Sequence, residues 1–334
     1  MIGIKPKWLL NSRMAISPMV DVTDHPFRQL VSLYSKSKDQ SSSKSSFITW
    51  TEFVSVDGLL ANPNRFKSLL DYSEIQRPIV CQLFGSDPDK FNRATKIVAD
   101  LGFDGVDINM GCPVRKVVER QSSGSALIVD KPTAVSIINA TKQAVAGTDM
   151  SVSVKTRIGF DEIEIEQWIP TLLQTNPDLL TLHLRTKKEL SNCPAHWENE
   201  VMGRVTELLK QHRDEHQQQK SNNNNNNKTT TTRLFGNGDI ESRLQIDEMF
   251  RRYSLLDGIM VGRGIYGKPW FFSDENQHDD GIDLKCRLVA LVEHALLIEQ
   301  HKEKYDLQHN LSSLNLHLKS YTQPLCHLGE IIIR

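Results

Sequence analysis

Short apolar runs recur along the chain, and most are separated by segments with a helical period. Eight runs are predicted as strands: Met14–Val20, Phe47–Phe53, Pro78–Gly85, Gly105–Cys112, Val152–Gly159, Leu179–Arg185, Leu234–Asp239 and Gly258–Gly264. Between them, Phe91–Gly102 and Pro132–Val145 repeat apolar residues every three or four positions, which is typical of amphipathic helices. Strand–helix alternation over eight units predicts an α/β fold, a (β/α)8 TIM barrel.

A doubly wound parallel sheet is the alternative α/β fold. It usually carries a glycine-rich dinucleotide fingerprint after the first strand, and Ser17-Pro18-Met19-Val20-Asp21 is not one. The length of 334 residues fits one barrel of about 250 residues with a small appendage. We therefore expect a cofactor-binding catalytic barrel over residues 1–272 and a short helical domain, not necessarily complete, over residues 273–334.

Two polar segments interrupt this pattern. Residues 35–46 are rich in serine and lysine, and residues 212–232 include six consecutive asparagines, Asn222–Asn227. Neither segment contains enough apolar side chains to order itself by burial. Both are predicted to be disordered insertions in surface loops.

Composition narrows the functional classes. The net charge of −1 gives no global signature of nucleic-acid or anionic-membrane binding, so a nucleic-acid substrate would need a local basic patch. Five cysteines, an odd number without a CxxC pair, argue against a disulfide framework or a zinc site and favour a reducing compartment. No run approaches the roughly 20 apolar residues of a membrane span. We expect a cytoplasmic protein without metal or membrane partner, and the oligomeric state is not indicated.

The stretch Asp107–Pro113 carries the most chemical information. It is predicted as a strand that stops at Cys112, which lies between Gly111 and Pro113. Because side chains alternate along a strand, Asp107 and Asn109 face the same side. Barrel enzymes react at the carboxyl ends of their strands. A thiol there can act as a nucleophile, a proton donor or a metal ligand, depending on what the other strands supply.

Other predicted strands also end in polar residues. Gln82 ends one strand, Lys155 and Arg157 share a face of another, and so do His183 and Arg185. Lysine and arginine that point into a barrel are costly to bury unless they meet an anion. We therefore expect an anionic ligand at this rim.

Two glycine turns locate that anion. Gly236-Asn237-Gly238-Asp239 and Gly262-Arg263-Gly264 follow the seventh and eighth strands, where such barrels commonly bind phosphate. Glycines let backbone N–H groups approach phosphate oxygens, and Arg263 adds a charged donor. Lys155 could stabilise negative charge on a reduced isoalloxazine, with Gln82 bonded to its polar edge. Flavin mononucleotide (FMN) is therefore the predicted cofactor.

The motifs together resemble those of the tRNA-dihydrouridine synthase family. They occur in family order over residues 14–272: Ser17–Arg28, Gln82–Gly85, Asn109–Pro113, Val154–Arg157, Gly236–Ile240 and Gly262–Gly264. The resemblance implies FMN contacts from Pro18, Met19, Val20, Gln82, Lys155, His183, Asn237, Gly238, Asp239, Gly262 and Arg263. It implies that Cys112 is the catalytic acid. Substrate contacts are expected from Asn109, Arg115, Arg157 and Arg185.

The resemblance also implies a reaction. NADPH reduces the flavin, flavin N5 delivers hydride to C6 of a uridine flipped out of tRNA, and Cys112 protonates C5 to give 5,6-dihydrouridine. Cys112 must then be protonated, so it should not lie among cations that strongly depress its pKa. Two alternatives stay open: an FMN barrel that acts on a free pyrimidine, and a tRNA-binding relative with weakened catalysis. The sequence does not indicate which tRNA uridine is modified.

Overall fold

A closed parallel barrel forms the centre of the computed structural model, which describes residues 6–36, 47–223, 231–273, 282–307 and 313–322. Its strands are β1 (Met14–Ile16), β2 (Phe47–Trp50), β3 (Val54–Ser55), β4 (Ile79–Phe84), β5 (Gly105–Met110), β6 (Ser151–Arg157), β7 (Leu179–His183), β8 (Arg233–Asn237) and β9 (Gly258–Val261). Parallel pairing runs β1-β2-β4-β5-β6-β7-β8-β9, and β9 pairs with β1 to close the circle. The two-residue β3 pairs with the end of β4. The predicted TIM barrel is confirmed.

Helices surround the barrel and follow its strands. They are α1 (Lys7–Asn11), α2 (His25–Ser35), α3 (Val56–Ala61), α4 (Pro88–Asp100), α5 (Arg115–Gln121), α6 (Lys131–Ala144), α7 (Ile165–Gln174), α8 (Arg204–Asn223), α9 (Arg243–Arg252), α10 (Leu284–Tyr305) and α11 (313–322). The predicted helices 91–102 and 132–145 correspond to α4 and α6. Asp87 and Asp130 cap these two helices, each with proline in the first turn.

The inside of the barrel changes character along the strands. At the amino-terminal end it is apolar, with Leu9 of α1 packed into a cluster of Ala15, Ile48, Trp50, Val80, Leu179, Phe235 and Met260. Two residues further along each strand, the side chains on the same face are polar. Gln82 follows Val80 in this way, and Asn237 follows Phe235. The barrel is thus filled at one end and offers polar groups at the other.

Parts of the two segments predicted to be disordered are helical in the structure. Residues 212–223 belong to α8, whose Gln, Glu, Lys and Arg side chains are good helix formers. Arg213 anchors this part by donating to the Thr232 carbonyl at 2.9 Å and to Asp257 at 2.8 Å. Ser35 is buried as the last residue of α2 and donates to the Pro269 carbonyl at 2.6 Å. The remaining parts, 37–46 and 224–230, lie outside the described residues.

The helices α10 and α11 pack against α2. The ring of His317 in α11 stacks on Phe27 of α2, with 4.0 Å between the centroids. Its Nδ1 accepts the Gly267 N–H at 3.1 Å and its Nε2 donates to the Val22 carbonyl at 3.2 Å, so the neutral ring is fully bonded. Within the described residues, no helix is both long and apolar enough to cross a membrane.

Candidate active site

A cavity of about 550 Å³ lies at the carboxyl ends of the strands. All of the predicted site residues line it except Gln82 and Arg115: Pro18, Met19, Val20, Asn109, Cys112, Lys155, Arg157, His183, Arg185, Asn237, Gly238, Asp239, Gly262 and Arg263. Phe53, Ile240 and Tyr266 line it as well and were not predicted to contact a ligand, because single apolar or aromatic residues at these positions carry no distinctive pattern. Side chains from most strands therefore meet in one space.

The turn after β5 holds Cys112 by its backbone. Asn109 Oδ1 accepts the N–H groups of Gly111 at 3.1 Å and of Cys112 at 2.9 Å. The Cys112 carbonyl accepts from the backbone N–H of Ser125 at 3.1 Å and from its hydroxyl at 3.0 Å. The thiol is therefore fixed at the cavity wall by neighbours on both sides of the turn.

Burial sets the protonation state of this thiol. Only 9% of Cys112 is exposed, and this burial raises the pKa of the thiol above its ordinary value. The backbone at Val114 and the charges of Arg157 and Lys155 act in the opposite direction but do not outweigh burial. Cys112 is thus a protonated thiol at neutral pH, as a catalytic acid must be.

A directed hydrogen-bond chain supports Asn109 from below. Asn109 Nδ2 donates to Gln82 Oε1 at 2.9 Å, and Gln82 Nε2 donates to Asp107 Oδ2 at 2.7 Å. Ser153 donates to the other Asp107 oxygen at 2.5 Å. A carboxylate only accepts, so Asp107 fixes the orientation of both amides. Gln82 lies beneath the cavity floor. Asp107 supports Gln82, and the sequence indicated only that Asp107 shares a strand face with Asn109.

Burial also perturbs two charged groups that face into the barrel. It raises the pKa of Asp107 to about 6, although the hydrogen bonds from Ser153 and Gln82 oppose the shift. It lowers the pKa of Lys155 to about 8, with the charge of Arg157 contributing. Both groups can therefore change protonation within a few pH units of neutrality.

Lys155 and His183 form a polar wall beside the glycine turns. Lys155 Nζ lies 3.3 Å from Asn237 Oδ1, whose amide orientation is fixed because its Nδ2 donates to the Met260 carbonyl at 2.8 Å. His183 Nε2 lies 3.3 Å from Arg185 Nη1, and because a guanidinium only donates, Nε2 accepts. Burial lowers the pKa of His183 well below its usual range, reinforced by neighbouring cations. His183 is therefore a neutral imidazole.

Arg185 and Arg263 converge on one carboxylate. Arg185 Nη2 donates to Asp239 Oδ2 at 2.5 Å, and Arg263 Nη2 donates to Asp239 Oδ1 at 3.1 Å. Arg185 also donates to the Cys193 carbonyl at 2.7 Å, and Asp239 accepts the Ala195 N–H at 2.7 Å. Arg185 is nearly buried, whereas 58% of the Arg263 side chain is exposed. Arg263 is consequently the more available of the two for an anion.

The other predicted substrate arginines lie in contrasting environments. Arg157 is buried and donates to the carbonyls of Gly111 at 2.8 Å, Thr186 at 3.0 Å and Leu190 at 3.3 Å, so it joins the β5 turn to the segment after β7. Arg115 is 86% exposed, pairs with Glu119 at 2.6 Å and does not line the cavity. The structure thus places Arg157 as a brace of the cavity wall and Arg115 on the outer surface of α5.

The residues present fit a flavin mononucleotide. Gly238 has a φ of +133°, and a Cβ at this position would lie 2.6 Å from the Ala195 Cβ, so the backbone is bare here by necessity. Bare backbone beside Arg263 suits a phosphate, while Lys155 suits an electron-rich ring. The cavity volume also lies within the range of about 300–1,000 Å³ usual for cofactor and ligand sites.

The chain is similar to known proteins of one family. The dihydrouridine synthase (Dus) family model matches residues 15–206 and 203–327. A probable tRNA-dihydrouridine synthase of Staphylococcus epidermidis is 33% identical over 320 residues, covering 95% of this chain and 86% of that protein. Probable tRNA-dihydrouridine synthase 2 of Bacillus subtilis is 34% identical over 273 residues, covering 80% and 74%.

A more distant likeness concerns the fold alone. The structure of 6-hydroxypseudooxynicotine amine oxidase from Pseudomonas geniculata N1 has a TM-score of 0.52 at 10% identity, covering 77% of this chain and 46% of that one. At such low identity the likeness shows only the shared fold. The family match over most of the chain, with relatives one-third identical along nearly its full length, shows that this protein belongs to the dihydrouridine synthase family.

Proposed function

We propose that this protein reduces the C5–C6 double bond of a uridine in tRNA to 5,6-dihydrouridine, with FMN as cofactor and NADPH as reductant. Family membership supports the reaction class, an oxidoreductase that modifies tRNA. The observation that carries the proposal is the placement of a protonated thiol, Cys112, on the same cavity as Lys155 and the glycine turns after β8 and β9. An acid and a flavin-binding wall are what this reduction requires.

The cofactor would be held by residues that line the same cavity as the thiol. The backbone at Gly238 and the exposed guanidinium of Arg263 would bind its phosphate, and Lys155 would lie against its ring. Pro18 and Met19, at the end of β1, would give the ring an apolar backing. Bound and reduced, FMN supplies the hydride that is added to C6 of the uracil.

Cys112 would complete the reduction by protonating C5. Its raised pKa keeps the proton on sulfur until the carbon becomes basic, as general acid catalysis needs. The thiolate left behind would be stabilised by the charges of Arg157 and Lys155, both of which lower the pKa of this thiol. Solvent then returns the proton, so hydride and proton together account for the two added hydrogens.

Asn109 is suited to orient the base. Its oxygen is occupied by the turn that carries Cys112, and one of its two amide hydrogens goes to Gln82. The second hydrogen is available to a uracil carbonyl, since Asn109 lines the cavity. Arg115, on the outer surface, would contact tRNA phosphate rather than the base.

The test is mass spectrometry of tRNA after incubation with protein, FMN and NADPH. The wild type should form dihydrouridine, and Cys112→Ala should lose most of that activity while keeping bound flavin. Cys286→Ala is the matched control because Cys286 is exposed on α10 and does not line the cavity. Unchanged dihydrouridine formation by Cys112→Ala would refute the assignment of the acid.

The two alternatives give different results in the same assay. Reduction of free uracil, or oxidation of free dihydroorotate, without any need for tRNA would identify an enzyme of free pyrimidines. A flavin-loaded protein that binds tRNA but forms no dihydrouridine would identify a catalytically weakened relative. Either result would overturn the proposal, and replacing NADPH by NADH tests the choice of reductant.

A further inference from the structure

Three residues far apart in sequence bring metal-binding atoms together on the side of the barrel. His25 begins α2, Asp71 lies in the segment before β4, and His301 is near the end of α10. One ligand atom from each lies within 4.8 Å of the other two. These residues lie outside the cavity described above, and they join the barrel to α10.

His301 presents an unsatisfied atom to this cluster. Its Nδ1 is buried without a hydrogen-bond partner and lies 3.5 Å from Asp71 Oδ2. Burying a polar atom without a partner costs free energy, and an ion that binds this nitrogen would remove that cost. Two ligands on tetrahedral Zn²⁺, each at about 2.0–2.1 Å, lie about 3.3 Å apart. The observed separation therefore matches a shared ion better than a direct hydrogen bond.

His25 has a backbone partner that can orient it as a ligand. Its Nδ1 lies 3.2 Å from the Asp71 carbonyl, and donation there leaves a lone pair on Nε2. Zinc-binding histidines usually donate their second nitrogen in this way. Gln76 Nε2 also lies 3.1 Å from this Nδ1, but it can donate instead to Gln29 Oε1 at 3.2 Å. Metal binding would select the tautomer bonded to the carbonyl.

The two imidazoles lie close together. Their rings stack, with 5.0 Å between the centroids and 24° between the planes. Because imidazole lone pairs lie in the ring plane, one ring must rotate about its side-chain bonds for both to bind the same ion. We propose that His25, Asp71 and His301 form a Zn²⁺ site that fastens α10 to the barrel. Its fourth position would open to the adjoining cavity of about 240 Å³, which both histidines line.

Lys304 is the competitor for this site. Its Nζ lies 2.8 Å from Asp71 Oδ2, the oxygen that the ion would need, and 58% of its side chain is exposed. The ammonium can therefore swing into solvent when the ion binds, at the expense of one partly exposed ion pair. Removing the charge at position 304 should consequently tighten zinc binding, an effect that nonspecific binding to histidine would not show.

A second cluster, Glu189, Cys193 and His196, is geometrically similar but already satisfied. Both His196 nitrogens are engaged by carboxylates, Glu189 at 2.9 Å and Glu198 at 2.7 Å. It therefore supplies a control for adventitious zinc rather than a second proposal. The site of His25, Asp71 and His301 has no local sequence motif, because its ligands are 46 and 230 positions apart. The cysteine pattern had given no reason to expect a metal.

The experiment measures Zn²⁺ binding by the full chain after chelator treatment, with zinc chloride as the only probe. Equilibrium dialysis with elemental analysis gives the stoichiometry, and competition with a chromophoric chelator gives the affinity. The variants are His301→Ala, Asp71→Asn, Lys304→Met and, as the control, Cys193→Ser. Thermal unfolding with and without zinc reports whether the ion stabilises the fold.

The proposal requires one tightly bound Zn²⁺ per wild-type chain, retained by Cys193→Ser. His301→Ala and Asp71→Asn should each weaken binding by about tenfold or more, and Lys304→Met should strengthen it by up to about tenfold. Zinc should raise the unfolding temperature of the wild type but not of His301→Ala. Full binding in His301→Ala and Asp71→Asn, loss of binding in Cys193→Ser, or no binding by the wild type would overturn it. None of these outcomes depends on dihydrouridine formation.

Discussion

The hydrogen-bond chain beneath Asn109 has a direction that can be reversed. Replacing Asn109 with aspartate would put an oxygen against Gln82 Oε1, where the amide nitrogen now donates at 2.9 Å. Turning the Gln82 amide would only move the conflict, because its oxygen would then face Asp107 Oδ2 at 2.7 Å. One contact between two acceptors therefore survives in either arrangement. We expect Asn109→Asp to lower the free energy of unfolding by about 1–3 kcal/mol.

A second substitution should repair this damage. Asp107→Asn can present its amide nitrogen to Gln82 Oε1, so that Gln82 Nε2 donates to the new carboxylate at position 109 and the whole chain runs in reverse. Its remaining oxygen still accepts from Ser153. Alone, Asp107→Asn should cost less than about 1 kcal/mol, because its oxygen can accept from Gln82 while its nitrogen donates to the Ser153 hydroxyl. The double variant should recover most of the loss, a coupling energy of about 1–3 kcal/mol.

The assay is urea unfolding of the wild type, both single variants and the double variant at pH 8. At this pH Asp107, whose pKa burial raises to about 6, is ionised and can only accept. Flavin-free protein keeps cofactor binding out of the comparison. If the effects of the two substitutions simply add, within about 0.5 kcal/mol, the directed chain does not exist as described.

Three further expectations follow from other contacts. Lys155→Met should lower flavin occupancy. In a fluorescence titration, the wild-type affinity for FMN should fall as the pH rises through the Lys155 pKa of about 8, and the variant should lack this step. An identical pH profile in both proteins would exclude a role of Lys155 in FMN binding. Burial lowers the pKa of His317 from 6.5 to about 4, so the folded protein holds this ring neutral. The free energy of unfolding should therefore fall by about 1.4 kcal/mol per pH unit as the pH drops from about 6.5 toward 4. Proteolysis of α10 and α11 should therefore accelerate in mild acid, and His317→Gln, which keeps one donor and one acceptor, should flatten that dependence. Gly238→Ala should expel FMN, because its Cβ would lie 2.6 Å from the Ala195 Cβ and would displace the backbone proposed to bind the phosphate. Gly147→Ala is the control: Gly147 is also at positive φ but has nothing within 4 Å, and this variant should keep normal flavin absorbance.

The barrel could be predicted because its strands carry a strong local signal. Each predicted run contains its observed strand to within one residue, since apolar runs bounded by glycine, proline or charge leave few other structures. The extension of α8 through 212–223 could not be predicted from its apolar content. Its order depends on Arg213 reaching Thr232 and Asp257, which lie on other parts of the chain.

The site was predictable wherever a strand end faces the cavity. Cys112 and Lys155 are examples, because alternation fixes the direction of each side chain. The roles of the buried arginines were not predictable. Arg157 and Arg185 were expected to contact substrate, yet the structure gives them backbone carbonyls such as that of Cys193, and a main-chain atom has no sequence signature. Their contact with substrate stays a prediction.

The bracing of the cavity wall by Arg157 and Arg185 constrains how relatives of this protein can diverge. Each guanidinium is nearly withdrawn from water and depends on carbonyls in the segment that follows β7. Deleting part of that segment would remove carbonyl acceptors from two buried cations, at a cost of about 1–3 kcal/mol for each, although Arg185 would keep Asp239 and Arg157 would keep the Gly111 carbonyl. Natural variants with a shortened segment should therefore carry neutral residues at both positions, so that segment length and these two cations are inherited together.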